Sequence, residues 1–134
     1  MSERYSNCRN LDFLFVSYGG GHITSVLPVV HELKRQGYLV GVFALTTATG
    51  VLKNENLPWF SYRDLPQFNA ETRRLGEAMQ DKVEPNPLVD PEESIAYMGI
   101  NFLELIQEHG EEPALARYAE IGRRAFLPVA LMTA

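Results

Sequence analysis

At 134 residues, with 46% hydrophobic and 22% charged side chains, the chain has the size and make-up of one globular domain, and neither a disordered nor a membrane class is favoured. A net charge of -5 argues against nucleic acid as a partner, because phosphate binding needs a clustered basic surface that is missing here. Cys8 is the sole cysteine, which rules out an internal disulfide or a multi-cysteine metal site and suits a reducing, cytoplasmic setting.

Met1 to Asn10 is polar and carries two arginines without an apolar core, so it is expected to be a disordered leader rather than a secretory signal. Leu11 to Val16 is almost continuously apolar, the pattern of a strand buried on both faces of a parallel sheet. Gly19, Gly20, Gly21 and His22 follow, and then Ile23, Val26, Leu27, Val30 and Leu33 recur at helical spacing against Glu32, Lys34, Arg35 and Gln36. Gly37 stands where a left-handed helix end is expected, with basic residues in the turn before it. Tyr38 to Leu45 is expected as a second buried strand, with Gly41 as its weak point.

Strand, helix and strand make a βαβ unit, and its crossover places both strand ends on one edge of the sheet. Thr46 and Thr47 should therefore lie beside the glycine-histidine loop. A short helix over Thr49 to Asn54 and a third strand over Leu57 to Tyr62 come next. Ala70 to Gln80 is expected as a helix and Asp81 to Glu93, with Pro85, Pro87 and Pro91, as a mobile surface loop. Ile95, Met98, Phe102, Leu105 and Ile106 mark another amphipathic helix closed by His109 and Gly110. A last helix is expected from about Glu112 through Leu115, Tyr118, Ala119, Phe126 and Val129, with no stop signal before Ala134. The chain is thus expected to be cut within an α/β domain spanning residues 11–134. No apolar run approaches the ~20 residues that span a bilayer. The longest, Ala125 to Ala134, is broken by Pro128.

Ligands of open α/β sheets bind beyond the carboxyl ends of the strands, so the Gly19 to His22 loop is the candidate site. A phosphate-binding loop of nucleotide hydrolases needs Lys and Ser or Thr after the last glycine, and here His22 and Ile23 stand there. A dinucleotide fingerprint needs Gly or Ala where Thr24 stands, and an acid at the end of the second strand, where residues 43–48 offer none. What remains is a loop thin enough for close approach of a ligand, at a helix start with free N–H groups. An unperturbed imidazole titrates near pH ~6.5, which makes His22 a candidate general base. The alternative is a loop that merely turns the chain, with His22 capping the helix.

His31 and His109 are expected to be structural, and the nine-residue gap between His22 and His31 does not suit a helical metal site. Glu92, Glu93, Glu104, Glu108, Glu111 and Glu112 are expected on solvated helix faces.

The run from Phe13 to Val40, FLFVSYGGGHITSVLPVVHELKRQGYLV, resembles the opening of GT-B glycosyltransferases, a family that includes UDP-glycosyltransferases and the peptidoglycan N-acetylglucosaminyltransferase. About thirty residues carry the likeness. The resemblance implies an incomplete N-terminal, acceptor-side, Rossmann-like domain of a GT-B fold, with the nucleotide-sugar half in a missing C-terminal domain or a partner subunit. It further implies that His22 deprotonates an acceptor hydroxyl, on a small molecule or a lipid, which attacks the anomeric carbon of a nucleotide sugar, a UDP-sugar, as the diphosphate leaves with inversion. Gly19, Gly20, Gly21 and Thr24 would line the sugar diphosphate, with no metal and no cofactor besides the nucleotide sugar as co-substrate.

The chain departs from the family in having Ser25 where a proline is frequent, and its own proline is Pro28. The helix is therefore expected to start nearer Thr24 or to bend. No acid is assigned to orient His22, Asp81 and Asp90 being poor choices. By itself the chain is expected to be inactive and to self-associate through its cut edge and the apolar residues Phe126, Leu127, Val129, Leu131 and Met132. A subunit of a split transferase, a sugar-nucleotide epimerase fragment and a non-catalytic Rossmann-like binding module are the alternatives.

Overall fold

The computed structural model describes residues 2–117, apart from 83 and 85. Tyr118, Ala119 and the apolar residues from Phe126 to Met132 lie outside the described residues. Within them the fold is mixed α/β, a three-stranded parallel sheet flanked by helices.

The elements run α1 (Glu3–Asn7), β1 (Phe13–Ser17), α2 (Gly20–Arg35), β2 (Val40–Ala44), α3 (Ala48–Leu52), β3 (Trp59–Phe60), a 3-10 turn (Tyr62–Asp64), α4 (Ala70–Gln80) and α5 (Pro91–His109). Residues 111–117 are helical as well. The strand order is β1-β2-β3, with Phe15 opposite Val42, and Val42 opposite Trp59.

The expected leader instead carries α1, which is tied to the domain by three contacts. The Arg4 guanidinium pairs with Asp64 at 3.1 Å and stacks over Trp59, and the Tyr5 ring meets Phe60 edge-on. Polarity alone did not show that α1 has a partner waiting at β3.

β1 also corrects the expectation of a strand buried on both faces. Among the described residues it is an edge strand, and Phe13, Leu14 and Val16 are 43%, 48% and 47% exposed. Phe15 packs against the core made by Ile23, Leu27 and Val30 of α2, Val40, Val42 and Ala44 of β2, and Leu52 and Trp59. Successive side chains alternate across a strand, so Ser17 shares the Phe15 face, and Leu14 and Val16 take the other.

α2 starts at Gly20, earlier than expected from Pro28, and runs through that proline. Gly37, at φ +94°, ends the helix as expected, with the Tyr38 N–H reaching back to Leu33 O at 3.1 Å. Gly41 has a steric cause in place of weakness: a Cβ there would lie 2.7 Å from Leu11 and 3.3 Å from the Cys8 sulfur.

α4 occupies its expected span, held at its start by Asn69, whose side chain accepts from the Glu71 and Thr72 N–H groups. α5 begins at Pro91, inside the passage expected to be loop, because Asp90 caps it and Pro91 occupies its first turn. Beyond the sheet core, Met79, Met98, Phe102 and Ala114 gather between α4, α5 and the helix after them. No helix among the described residues is long and apolar enough to cross a membrane.

Candidate functional site

The loop after β1 is held by the end of β2, as the βαβ topology requires. Gly19 caps α2 in extended conformation without a side chain to satisfy the first free N–H groups. Thr47 supplies the missing acceptor, its Oγ1 taking the Gly20 N–H at 2.8 Å. Thr46 donates through Oγ1 to Tyr18 O at 3.1 Å and sits at φ 52°, a left-handed conformation that a β-branched residue adopts only under constraint. The two threonines thus clamp the loop from the neighbouring strand.

None of the loop glycines is needed for a left-handed turn, because the positive-φ glycines are Gly37 and Gly110. Nor does packing demand them. A Cβ at Gly19 or Gly20 would make ordinary contact with Thr47 at 3.5 and 3.8 Å, and one at Gly21 would meet nothing within 4 Å. The missing side chains leave open space over the loop, which is what a ligand approaching the backbone requires.

His22 lies in the first turn of α2 and is exposed. Its Nδ1 is 3.2 Å from Ser17 Oγ and 3.3 Å from the Tyr18 backbone N–H. No carboxylate reaches the ring among the described residues: Asp90 instead caps α5 and pairs with Arg63 at 3.4 Å. Thr24 stands in the same turn, but its hydroxyl hydrogen is committed to Gly20 O at 2.7 Å, and Ser25 likewise donates to Gly21 O. The structure therefore brings together His22, Gly19, Gly20, Gly21 and the two clamping threonines, and turns the Thr24 hydroxyl back onto its own helix.

The other two histidines have structural partners. His31 meets Glu55 at 3.1 Å, and His109 lies beside Arg117 and Glu108 at the end of α5. Burial, with Asp64 nearby, pushes the Cys8 thiol up to about 11, so the thiol stays protonated and unreactive at neutral pH. Among the described residues no group of three or more His, Cys, Asp or Glu could hold a metal ion.

Glu93 corrects the expectation of a solvated acidic face, being 6% exposed. The Ser61 hydroxyl lies 2.7 Å from Glu93 Oε1 and 3.2 Å from Asp64 Oδ2. Burial raises the Glu93 carboxyl above its ordinary value, against the pull of the Ser61 hydrogen bond and Arg63. Glu92, by contrast, is held low by its forked pair with Arg73, and this pair is on the surface.

An open concavity of about 550 Å³ lies at the other end of the sheet, lined by Arg4, Lys34, Glu55 and Trp59. It opens where β3 begins, away from the carboxyl strand ends at which ligands of such sheets bind. The glycine-histidine loop is the better candidate.

Ser17 and the Tyr18 amide were not anticipated as partners of His22. The alternation along β1 carried a signal for Ser17, which shares a face with Phe15. The fold and site define a parallel α/β protein with a clamped, side-chain-free loop at the carboxyl end of β1. No family model matches the chain, and no curated protein or solved structure matches it.

Proposed function

We propose that the chain is the acceptor-side part of a GT-B-type glycosyltransferase, which moves a sugar from a nucleotide sugar, with UDP as the nucleotide, to an acceptor hydroxyl. The supporting observation is the Gly19 to His22 loop itself. Three successive glycines that neither turn geometry nor packing explains lie at the carboxyl end of a parallel strand, and an exposed imidazole follows them. The donor-binding half comes from a C-terminal domain or a separate subunit, and the acceptor is a small molecule or a lipid.

In this reading His22 Nε2 takes the proton of the acceptor hydroxyl while the hydroxyl oxygen attacks the anomeric carbon. The bond from that carbon to the diphosphate breaks on the opposite side, the nucleoside diphosphate leaves with the bonding pair, and the configuration inverts. The Gly20 and Gly21 backbone keeps the wall beside the diphosphate thin. A general base contributes about 10²- to 10⁴-fold to rate.

The test is transfer from a labelled UDP-sugar by the protein isolated with its donor-binding half, whether continuous with this chain or not. His22→Ala should lower kcat by about 10²- to 10⁴-fold. Undiminished transfer in that variant, or epimerisation of the nucleotide sugar without transfer in the wild type, overturns the proposal.

A further inference from the structure

We propose that Ser17 is a positioning residue for His22: its hydroxyl, with the Tyr18 backbone N–H, holds the resting imidazole in the tautomer that carries its proton on Nε2. Ser17 is the last residue of β1 and is 0% exposed. A buried hydroxyl needs an acceptor for its hydrogen, and among the described residues His22 Nδ1 at 3.2 Å is the side-chain partner of Ser17 Oγ. The Tyr18 N–H, 3.3 Å from the same nitrogen, can only donate. Two donors converge on one ring nitrogen, so that nitrogen is bare. A neutral imidazole with a bare Nδ1 has its hydrogen on Nε2.

This inference rests on the glycosyltransferase reading for its consequence, though not for its geometry. A base at Nε2 must offer a lone pair there, and the resting ring has an N–H. To become competent, the ring releases the Nε2 proton to solvent water and takes one from water at Nδ1, with no net change in charge. Ser17 must then rotate so that its oxygen accepts from Nδ1–H, and both its own hydrogen and the Tyr18 N–H lose the acceptor they had. The base form is thus the minor tautomer of the resting site, and acceptor binding has to select it. A hydroxyl suits this role because it donates in one state and accepts in the other, whereas a carboxylate could only accept and would hold the base form permanently.

The tautomer is read directly from long-range ¹H–¹⁵N correlations of the 134-residue chain labelled at histidine nitrogen, recorded where the ring is uncharged. His31→Gln and His109→Gln assign the remaining signal to His22. The wild type should show a protonated Nε2 and a bare Nδ1 as the dominant pair. Ser17→Ala removes one donor and should raise the Nδ1–H share several-fold, with Ser17→Cys, a weaker donor, in between. A wild-type spectrum dominated by Nδ1–H overturns the proposal without any variant having to fold. A folded Ser17→Ala spectrum that matches the wild type overturns it as well. If the expected tautomer is found and the assembled protein transfers no sugar, the glycosyltransferase reading falls while the role of Ser17 stands.

Discussion

Around β2 the contacts are made by side chains, whereas α4 and α5 add to their side-chain cluster two places where helix meets helix at the main chain. Val40, Val42 and Ala44 share one buried cluster with Ile23, Leu27 and Val30 of α2 and with Leu52 of α3. Between the two later helices, a Cβ at Gly76 would lie 2.0 Å from Ile95 O, and one at Gly99 would lie 1.8 Å from Thr72 O. Ile23 makes the first region sensitive to what is removed, and Gly76 and Gly99 make the second sensitive to what is added. A glycine in a helix interior costs about 0.5–1 kcal/mol relative to alanine, so the close approach of α4 and α5 must return more than two such penalties.

The difference can be broken from either side. Ile23→Ala should have the largest effect, a loss of about 2–5 kcal/mol in urea denaturation, because a fully buried side chain leaves a cavity under β2. A loss below that range would mean that the sheet core collapses around the gap. Gly99→Ala should cost about 1–3 kcal/mol although alanine is the better helix former, because the added methyl forces the helices apart. A neutral or stabilising Gly99→Ala would show that α4 and α5 are not held at backbone contact.

The smallest expected effect concerns the polar seam where the two regions meet. Ser61 follows β3, and its single hydroxyl hydrogen faces two carboxylates, Asp64 and Glu93. The folded state raises the Glu93 carboxyl, so the native chain holds a proton that the unfolded chain releases. The associated stability is fully present below the ordinary glutamate value and is lost as pH rises through the raised folded value. Arg63 from the 3-10 turn and Arg4 from α1 oppose that shift, and Asp64 adds to it. Glu93→Gln keeps an acceptor for Ser61 and removes the titration. Its melting temperature should therefore gain on the wild type as pH rises from the ordinary glutamate range through the raised folded value. Parallel melting curves for the two proteins across that range would show that Glu93 does not join the regions in this way.

Much of the order of elements was legible because it depends on neighbours along the chain. The α4 span and the glycine ends at Gly37 and Gly110 follow from helical spacing and from left-handed caps, which are local properties. The start of α5 was equally local and was overlooked: Asp90, Pro91, Glu92 and Glu93 spell a helix N-terminus, masked by the prolines before them. The exposure of β1 was not legible, because an apolar run looks the same at the middle of a sheet and at its edge. At the site, the glycine-histidine loop and its neighbours Thr46 and Thr47 were foreseen from the βαβ crossover. The Ser17 hydroxyl at His22 Nδ1, and the burial of Glu93, were not.

By itself the amino-acid order determined a βαβ unit with a thin loop and an imidazole at the carboxyl end of its first strand, since hydrophobic period, glycine and capping residues act over a few positions. Only the tertiary structure decided that β1 is an edge strand among the described residues, that α1 docks at β3 and that backbone meets backbone at Gly76 and Gly99. It also decided which nitrogen of His22 is bare. The Tyr18 amide and the Ser17 hydroxyl reach Nδ1 only after β1 turns into α2, and a proton's position on a ring is set by the donors around it in space.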